Sequence, residues 1–381
     1  MSEIAYRLKS LDPLVFGDGR PFSPDAGATS LRGHLVPSPS TLAGGVRTAI
    51  GFAHQVDFKN PATLEALTRT EVRGPILTLN DEPMFATPAD FSFVANSHGS
   101  VQAARAHPVV LEHGEGSDLE GLGLCGPTLL AGDTPTKERP PQFFSNTEMT
   151  EWLLGEERKP SRKPKLLPED RVHVGIEFDR LSSKQGALFK TSGYRYGRYL
   201  SMGEDSLRGE ACCPEIKGYD VELGLSLATD SEFDLSTLGA MTLGGERRLA
   251  VLREEQDDWW RCPAAIRERL GRANVKRIRL ILATPAVFGN GLLPGWVRVP
   301  GTDVEVRILA ATNLRRSFVS GWDLATRGPK AVRWLAPAGS AYFLEIVKGS
   351  AAALPDQWLR PVSDDPQSCR DGFGLALWGI W

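Results

Sequence analysis

Residues 35–50 read "LVPSPSTLAGGVRTAI", and the fold turns on whether a helix starts inside them. Ser38 or Ser40 can accept hydrogen bonds from the first free amides of a helix, and Pro39 suits a first-turn position that needs no amide donor. Leu42, Val46, Ala49 and Ile50 then recur at helical spacing, so one face is buried. Gly44 and Gly45 each cost such a helix about 1 kcal/mol relative to alanine. That cost implies a sheet or a ligand packed closely against them. Upstream, alternation over residues 3–10 predicts a strand. "FGDGRPF" (16–22) predicts a loop in which Gly17 and Gly19 suit positive φ and Pro21 stiffens the exit.

Working outward, strands are expected at 73–80 and 88–95. "NTEMTEWLL" (146–154) predicts a helix capped by Asn146 or Thr147 and ended by Gly155. "ERKPSRKPK" (157–165) carries five basic residues and reads as an exposed loop or linker, so a domain boundary falls near it. Beyond it, alternation predicts strands at 171–179, 247–254, 275–284, 304–312, 340–348 and 373–381, with a helix at about 263–272 starting at Pro263. In "DVELGLSLAT" (220–229), Val221, Leu223, Leu225 and Leu227 share one face of a half-buried strand. Strands outnumber helices, and each half holds a strand–helix–strand–strand unit. The expected class is α+β: two ferredoxin-like (βαββαβ) domains with long loop insertions, over 1–165 and 166–381. No internal repeat is legible in the letters.

A net charge of −3 over 381 residues argues against a protein that coats nucleic acid, but leaves room for a local basic groove. Charge is regional: "NVKRIRL" (274–280) is basic and "REEQDD" (253–258) acidic, which suits one face for RNA and another for protein. No apolar run is long enough to span a bilayer, and "MSEIAYRLKS" lacks a signal-peptide core, so no membrane partner and a cytoplasmic location are expected. The five cysteines, Cys125, Cys212, Cys213, Cys262 and Cys369, form no C-x-x-C pair. His34, His54, His98, His107, His113 and His173 are not at metal-ligand spacing. Neither a metal nor another cofactor is expected. Phosphate-loop, zinc-protease and nucleophile-elbow motifs are absent from the sequence.

Three segments fit RNA contact and an ordinary structural role alike. "LGGERR" (243–248) can grip phosphates through glycine amides and arginine forks, or be a β-turn before a solvated strand. "FKTSGYRYGRYL" (189–200) interleaves Lys190, Arg195 and Arg198 with Tyr194, Tyr196 and Tyr199, a mixture that holds phosphate and stacks bases; a strand with tyrosines on one face reads identically. "RDGFGLALWGIW" (370–381) offers a glycine loop that admits RNA backbone, with Phe373 able to stack, or a core strand with buried tryptophans.

Taken in order, "FGDGRPF", "PSPSTLAGGVRTAI", "LGGERR", "LATPAVFGNGLLPGW" (282–296), "APAGSAYFLE" (336–345) and "GFGLALWGIW" resemble one family across residues 16–381. It is that of the third subunit of the Cmr module, the type III-B CRISPR RNA-guided effector complex, within the RAMP superfamily. The resemblance implies a non-catalytic subunit in antiviral defence that binds the 5′ repeat-derived tag of the guide RNA. It also implies contacts to the large palm-domain subunit and to the backbone RAMP subunit. At motif level it points to Arg20, Ser40, Thr41, Arg47, Gly244, Gly245, Arg247, Arg248, Gly372 and Gly374 as tag-contacting positions. Two alternatives stand beside it. One is a metal-independent RAMP endoribonuclease that matures guide RNA with a histidine base such as His34. The other is a purely protein–protein adaptor.

Overall fold

A computed structural model describes residues 3–17, 30–31, 33–109, 114, 124–127, 134–161, 163–202, 216–229, 233–256, 258–313, 315–323 and 328–381. The chain divides into two units, one built from Met1–Asp81, Pro164–Glu255 and Phe318–Arg333, the other from Glu82–Lys163, Gln256–Ser317 and Trp334–Trp381. The chain therefore passes between units several times. This differs from the contiguous halves 1–165 and 166–381, although Pro164 does mark one crossing. The physical reason is strand pairing: strands far apart in sequence hydrogen-bond to one another in each unit, and local composition carries no record of that.

The first unit is organised by β1 (Glu3–Ser10), α1 (Pro39–Ala53), α2 (Pro61–Arg69), β2 (Glu71–Leu79), β3 (Glu169–Glu177), β4 (Ser182–Gly193), β5 (Gly197–Met202), β6 (Ile216–Ala228), β7 (Ala240–Thr242) and β8 (Leu249–Glu255). Its main sheet runs β7-β8-β1-β6-β2, with β5 on the free half of the long strand β6. All its registered pairs are antiparallel, for example Leu8↔Leu223 and Leu8↔Leu252. Val221, Leu223, Leu225 and Leu227 are all buried on one face of β6, as their alternation predicts. The other face is not solvated. Glu222 is buried and paired with Lys9 at 2.9 Å, and Arg73 joins Glu3 and Ser226.

Helix α1 begins where the Pro-Ser-Pro-Ser-Thr run predicts. Ser38 is the N-cap, its hydroxyl accepting from Thr41 N, and Pro39 opens the helix. Leu42, Val46 and Ile50 are fully buried; at about 1.5–3 kcal/mol each, their burial outweighs the two glycines. The glycines have different roles. A Cβ on Gly45 would lie 2.9 Å from Met241 Cε, beside β7, whereas one on Gly44 would meet nothing within 4 Å. The antiparallel hairpin β3–β4 departs from expectation in another way. The strand expected at 171–179 is present, but its apolar row, Val172, Val174 and Ile176, is exposed along with Leu188, and Phe178 near its tip is 86% exposed.

The second unit has a four-stranded antiparallel sheet in the order Glu305–Thr312, Ala341–Lys348, Arg277–Leu282, Ala376–Ile380. The helix Asn146–Leu154 packs on its last strand, where Gly379 has no room for a Cβ against Leu153. That helix is capped by Ser145, one residue before the predicted caps. Ser145 and Glu148 form a reciprocal capping box, and Gly155 ends the helix at φ 104°. The helix expected after Pro263 spans Ala264–Leu270. Arg279 and Asp90 form a fully buried ion pair at 2.6 Å. Trp152 Nε1 donates to the same carboxylate at 2.9 Å, and Arg279 and Arg105 both donate to the Trp152 carbonyl. Burial pushes the Arg279 guanidinium below its ordinary value, while the Asp90 charge opposes the shift.

The two four-stranded cores share one topology. Counting strands along the chain, both sheets are laid out fourth-first-third-second. In the first unit these strands are β8, β1, β6 and β2.

Candidate nucleic-acid interface

Of the segments singled out by sequence, the base of "FGDGRPF", "LGGERR" and "FKTSGYRYGRYL" meet in the first unit around residues 13–17. Leu14 exchanges backbone hydrogen bonds with Tyr194 (2.8 and 2.9 Å), Val15 O accepts from Gly245 N (2.8 Å), and Phe16 O accepts from His34 N (2.8 Å). Glycines make this crossing possible. A Cβ on Gly244 would sit 2.6 Å from Val15 O, and one on Gly193 would sit 3.0 Å from Leu14 O. Gly45 brings α1 against Met241 and Leu243, just before the Gly-Gly turn. The base of the glycine-arginine loop, helix α1 and the "LGGERR" turn therefore form one local assembly.

The turn itself is strained. Gly244 (φ 76°), Glu246 (φ 60°) and Arg247 (φ 53°) all have left-handed backbone angles, and the last two carry side chains that disfavour them. Glu246 pairs with Arg248 and lies 3.7 Å from His173 Nε2 on β3. His173 in turn contacts Thr191 Oγ1 at 2.8 Å and stacks on Phe189. Arg248 is thus half-buried and engaged. Arg247 is exposed and has no ion-pair or hydrogen-bond partner among the described residues. Ser40 and Thr41 are half-buried in the first turn of α1, and both hydroxyls lie within hydrogen-bond distance of Ser38 Oγ. That turn carries no acidic side chain, which leaves its amide dipoles uncompensated by carboxylate.

Other expected positions are placed differently. Arg47 is buried and donates from Nε (3.2 Å) and Nη2 (2.8 Å) to Thr70 O, tying α1 to the end of α2. Gly372 (φ 88°) and Gly374 (φ 79°) lie in the second unit and are buried. A Cβ on Gly374 would fall 2.8 Å from Ser363 Oγ, and the Phe373 ring is 0% exposed, so it offers no face to a base. Arg20, like the rest of residues 18–22, lies outside the described residues, as do Cys212, Cys213 and His113. His34 is exposed, and its ring has no partner among the described residues. No group of three or more potential metal ligands is found among the described residues. Nor is any described helix long and apolar enough to cross a membrane. Burial pushes the Cys262 thiol up to about 12, which keeps it protonated.

The basic run 157–165 is more neutralised than its letters suggest. Arg158 pairs with Glu151 (2.8 Å), Lys159 with Glu138 (3.2 Å) and Lys163 with Glu148 (2.7 Å). Only a three-dimensional arrangement could show those carboxylates. Sequence reasoning also missed a cleft in the first unit, of about 410 Å³, whose lining includes Leu35, Tyr194, Arg198 and Tyr199. The tyrosine–arginine alternation was the available signal, but it does not say which tyrosines are left open. Tyr196, between the others, is buried with its hydroxyl on Leu35 O.

The comparison with curated proteins gives no match. Two chains of the type III-B Cmr-beta complex are similar over 89% of this chain and 86% of theirs. One, bound to cognate target RNA and AMPPnP, has 14% identity and a TM-score of 0.48; the other, bound to cognate target RNA, has 13% and 0.47. A chain of the Csm3–Csm4 subcomplex of the type III-A CRISPR-Cas interference complex aligns over 91% of this chain and 95% of its own, at 11% identity and a TM-score of 0.34. The assignment rests on the sequence family, whose pattern runs through the assembly at residues 13–17 and 244–248 and on to the last tryptophan. Matched from residue 6 to residue 381, the chain belongs to the CRISPR-associated protein family Cas_Cmr3.

Proposed function

We propose that this chain is a non-catalytic, cytoplasmic subunit of a type III-B Cmr effector complex, and that it holds the 5′ tag of the guide RNA. In this reading it joins the large palm-domain subunit to the backbone RAMP subunit in antiviral defence. Family membership supports the complex. The single observation that carries the RNA reading is the meeting of loop base, α1 and Gly-Gly-Glu-Arg-Arg turn, with Arg247 left exposed on a strained backbone. An exposed guanidinium beside the loop base can fork onto phosphate oxygens, while nearby helix amides add favourable dipoles. The fourth-first-third-second strand order in both units is that of a ferredoxin-like sheet, the fold proposed for each.

The test is to reconstitute the complex with guide RNA carrying a photo-crosslinker at its 5′ end. The expected result is a crosslink to this chain that Arg247→Ala weakens. Crosslinks confined to other subunits overturn the tag reading.

A further inference from the structure

We infer that the cleft lined by Leu35, Leu166, Tyr194, Arg198 and Tyr199 binds an unpaired nucleotide of single-stranded RNA, a subsite separate from the Gly244–Arg248 turn. This rests on the RNA-binding reading above and extends it. The cleft, about 410 Å³, has room for a single nucleotide and mixes apolar walls with two tyrosines and two arginines. Its aromatic parts are held in place. Tyr199 Oη donates to Lys165 O at 3.3 Å and accepts from Leu167 N at 3.2 Å. The main chain of Tyr194 is anchored by its backbone bonds to Leu14. A fixed ring stacks on a base with little ordering cost.

The charges favour phosphate. The Arg198 guanidinium, in the lining, is exposed and has no ion-pair or hydrogen-bond partner among the described residues, and the exposed Lys165 ammonium, next in sequence to the lining residue Leu166, has none either. Arg195 is shared with Glu169 at 3.6 Å, and Glu169 is itself held by Arg171 at 2.7 Å. The one lining carboxylate is thus neutralised by two arginines, which leaves the cleft positive. Leu35 stands three residues before the Ser38 cap, and Leu14, which Tyr194 pairs, is next to Val15, which Gly245 pairs. The cleft and the turn therefore flank the same loop, and one strand of RNA can reach both. The lining sets two tyrosine rings beside the free Arg198 guanidinium, a pairing that answers a base and a phosphate together, so RNA is the better fit.

The experiment uses the full chain in the reconstituted complex, with single-stranded guide RNA containing 4-thiouridine. Tyr199→Leu and Arg198→Ala are each expected to weaken RNA binding by about fivefold or more, as loss of one stacking or phosphate contact does. Arg198→Ala should also flatten the dependence of log affinity on log salt by about 0.7, the share of one phosphate contact to a single strand. Tyr199→Phe, which keeps the ring but loses its two hydroxyl bonds, should lose clearly less than Tyr199→Leu, and crosslinks should map to residues 194–199. If Tyr199→Phe loses as much as Tyr199→Leu, the hydroxyl's structural role is responsible and the subsite is overturned. Wild-type affinity and slope in both variants, with crosslinks only at 244–248, overturn it while leaving the proposed function standing. Crosslinks from another subunit's protein to the cleft overturn it likewise. A wild-type chain that touches no RNA overturns both readings.

Discussion

Gly45 of α1 lies against Leu243: a Cβ on Gly45 would fall 2.6 Å from Leu243 Cδ1, whereas the adjacent Gly44 has open space. One glycine is required by packing and the other is not. Gly45 thereby sets how near α1 comes to the Gly244–Arg248 turn.

Substitution separates the two. Gly44→Ala should stabilise the chain by about 1 kcal/mol through helix propensity alone. Gly45→Val must push Leu243 and Met241 aside and should cost about 1–3 kcal/mol. Chemical denaturation of the two variants reads both signs, and equal effects would contradict the packing difference.

The turn offers a second separation, between strain and binding. Arg247 holds φ at 53°, a left-handed angle that costs a side-chain-bearing residue about 1–2 kcal/mol. Arg247→Gly should therefore raise stability while weakening guide-RNA binding. Thermal unfolding and an RNA-binding titration on the same variant give the two readouts.

In the second unit, Asp90→Ala leaves Arg279 buried without its carboxylate. Breaking such a pair from one side costs about 3–5 kcal/mol. The double variant Asp90→Leu with Arg279→Met removes both charges and should recover most of that loss, as measured by urea unfolding.

Acid should loosen the basic segment. Burial pushes the Glu148 carboxyl up, but hydrogen bonds from Lys163, Ser145 N and Ser161 outweigh it, and its pKa lies below the ordinary 4.5. The folded state therefore binds this proton less readily than the unfolded chain. Its stabilising effect is complete above pH 4.5 and disappears as pH falls through the lower folded value. The protection of Ser161 N against hydrogen exchange, corrected for the intrinsic rate at each pH, should fall over that range, since this amide donates to Glu148 at 2.6 Å. Glu148→Gln should show fast exchange at neutral pH.

Much of the local structure was legible. Apolar residues at helical spacing after Ser38-Pro39 gave α1, and the alternation of Val221, Leu223, Leu225 and Leu227 gave β6, because both patterns report which face is buried. The same alternation over Val172, Val174 and Ile176 marks a strand but not its burial, and here the apolar row is exposed. The Ser145 cap was missed by one residue because Asn146, Thr147 and Ser145 are all competent caps, and only the reciprocal Glu148 bond selects one.

For the candidate site, the motif words pointed to Gly244, Gly245 and Arg247, which the structure places in a tight turn with Arg247 exposed. They could not separate Arg247 from Arg47, which spends its guanidinium on Thr70 O, or Gly244 from Gly374, buried against Ser363.

By itself, the sequence determined α1, β6, several other strands and the family, because hydrophobic periodicity and rare words are properties of neighbouring residues; α2, β4 and β5 carried no such pattern. Tertiary structure alone decided that the two four-stranded cores share one strand order, and that segments of the two units alternate along the chain. It alone decided which arginines and tyrosines remain free. Those outcomes depend on hydrogen bonds and contacts between residues far apart in the chain, where a one-residue change of register or a single distant carbonyl alters the answer.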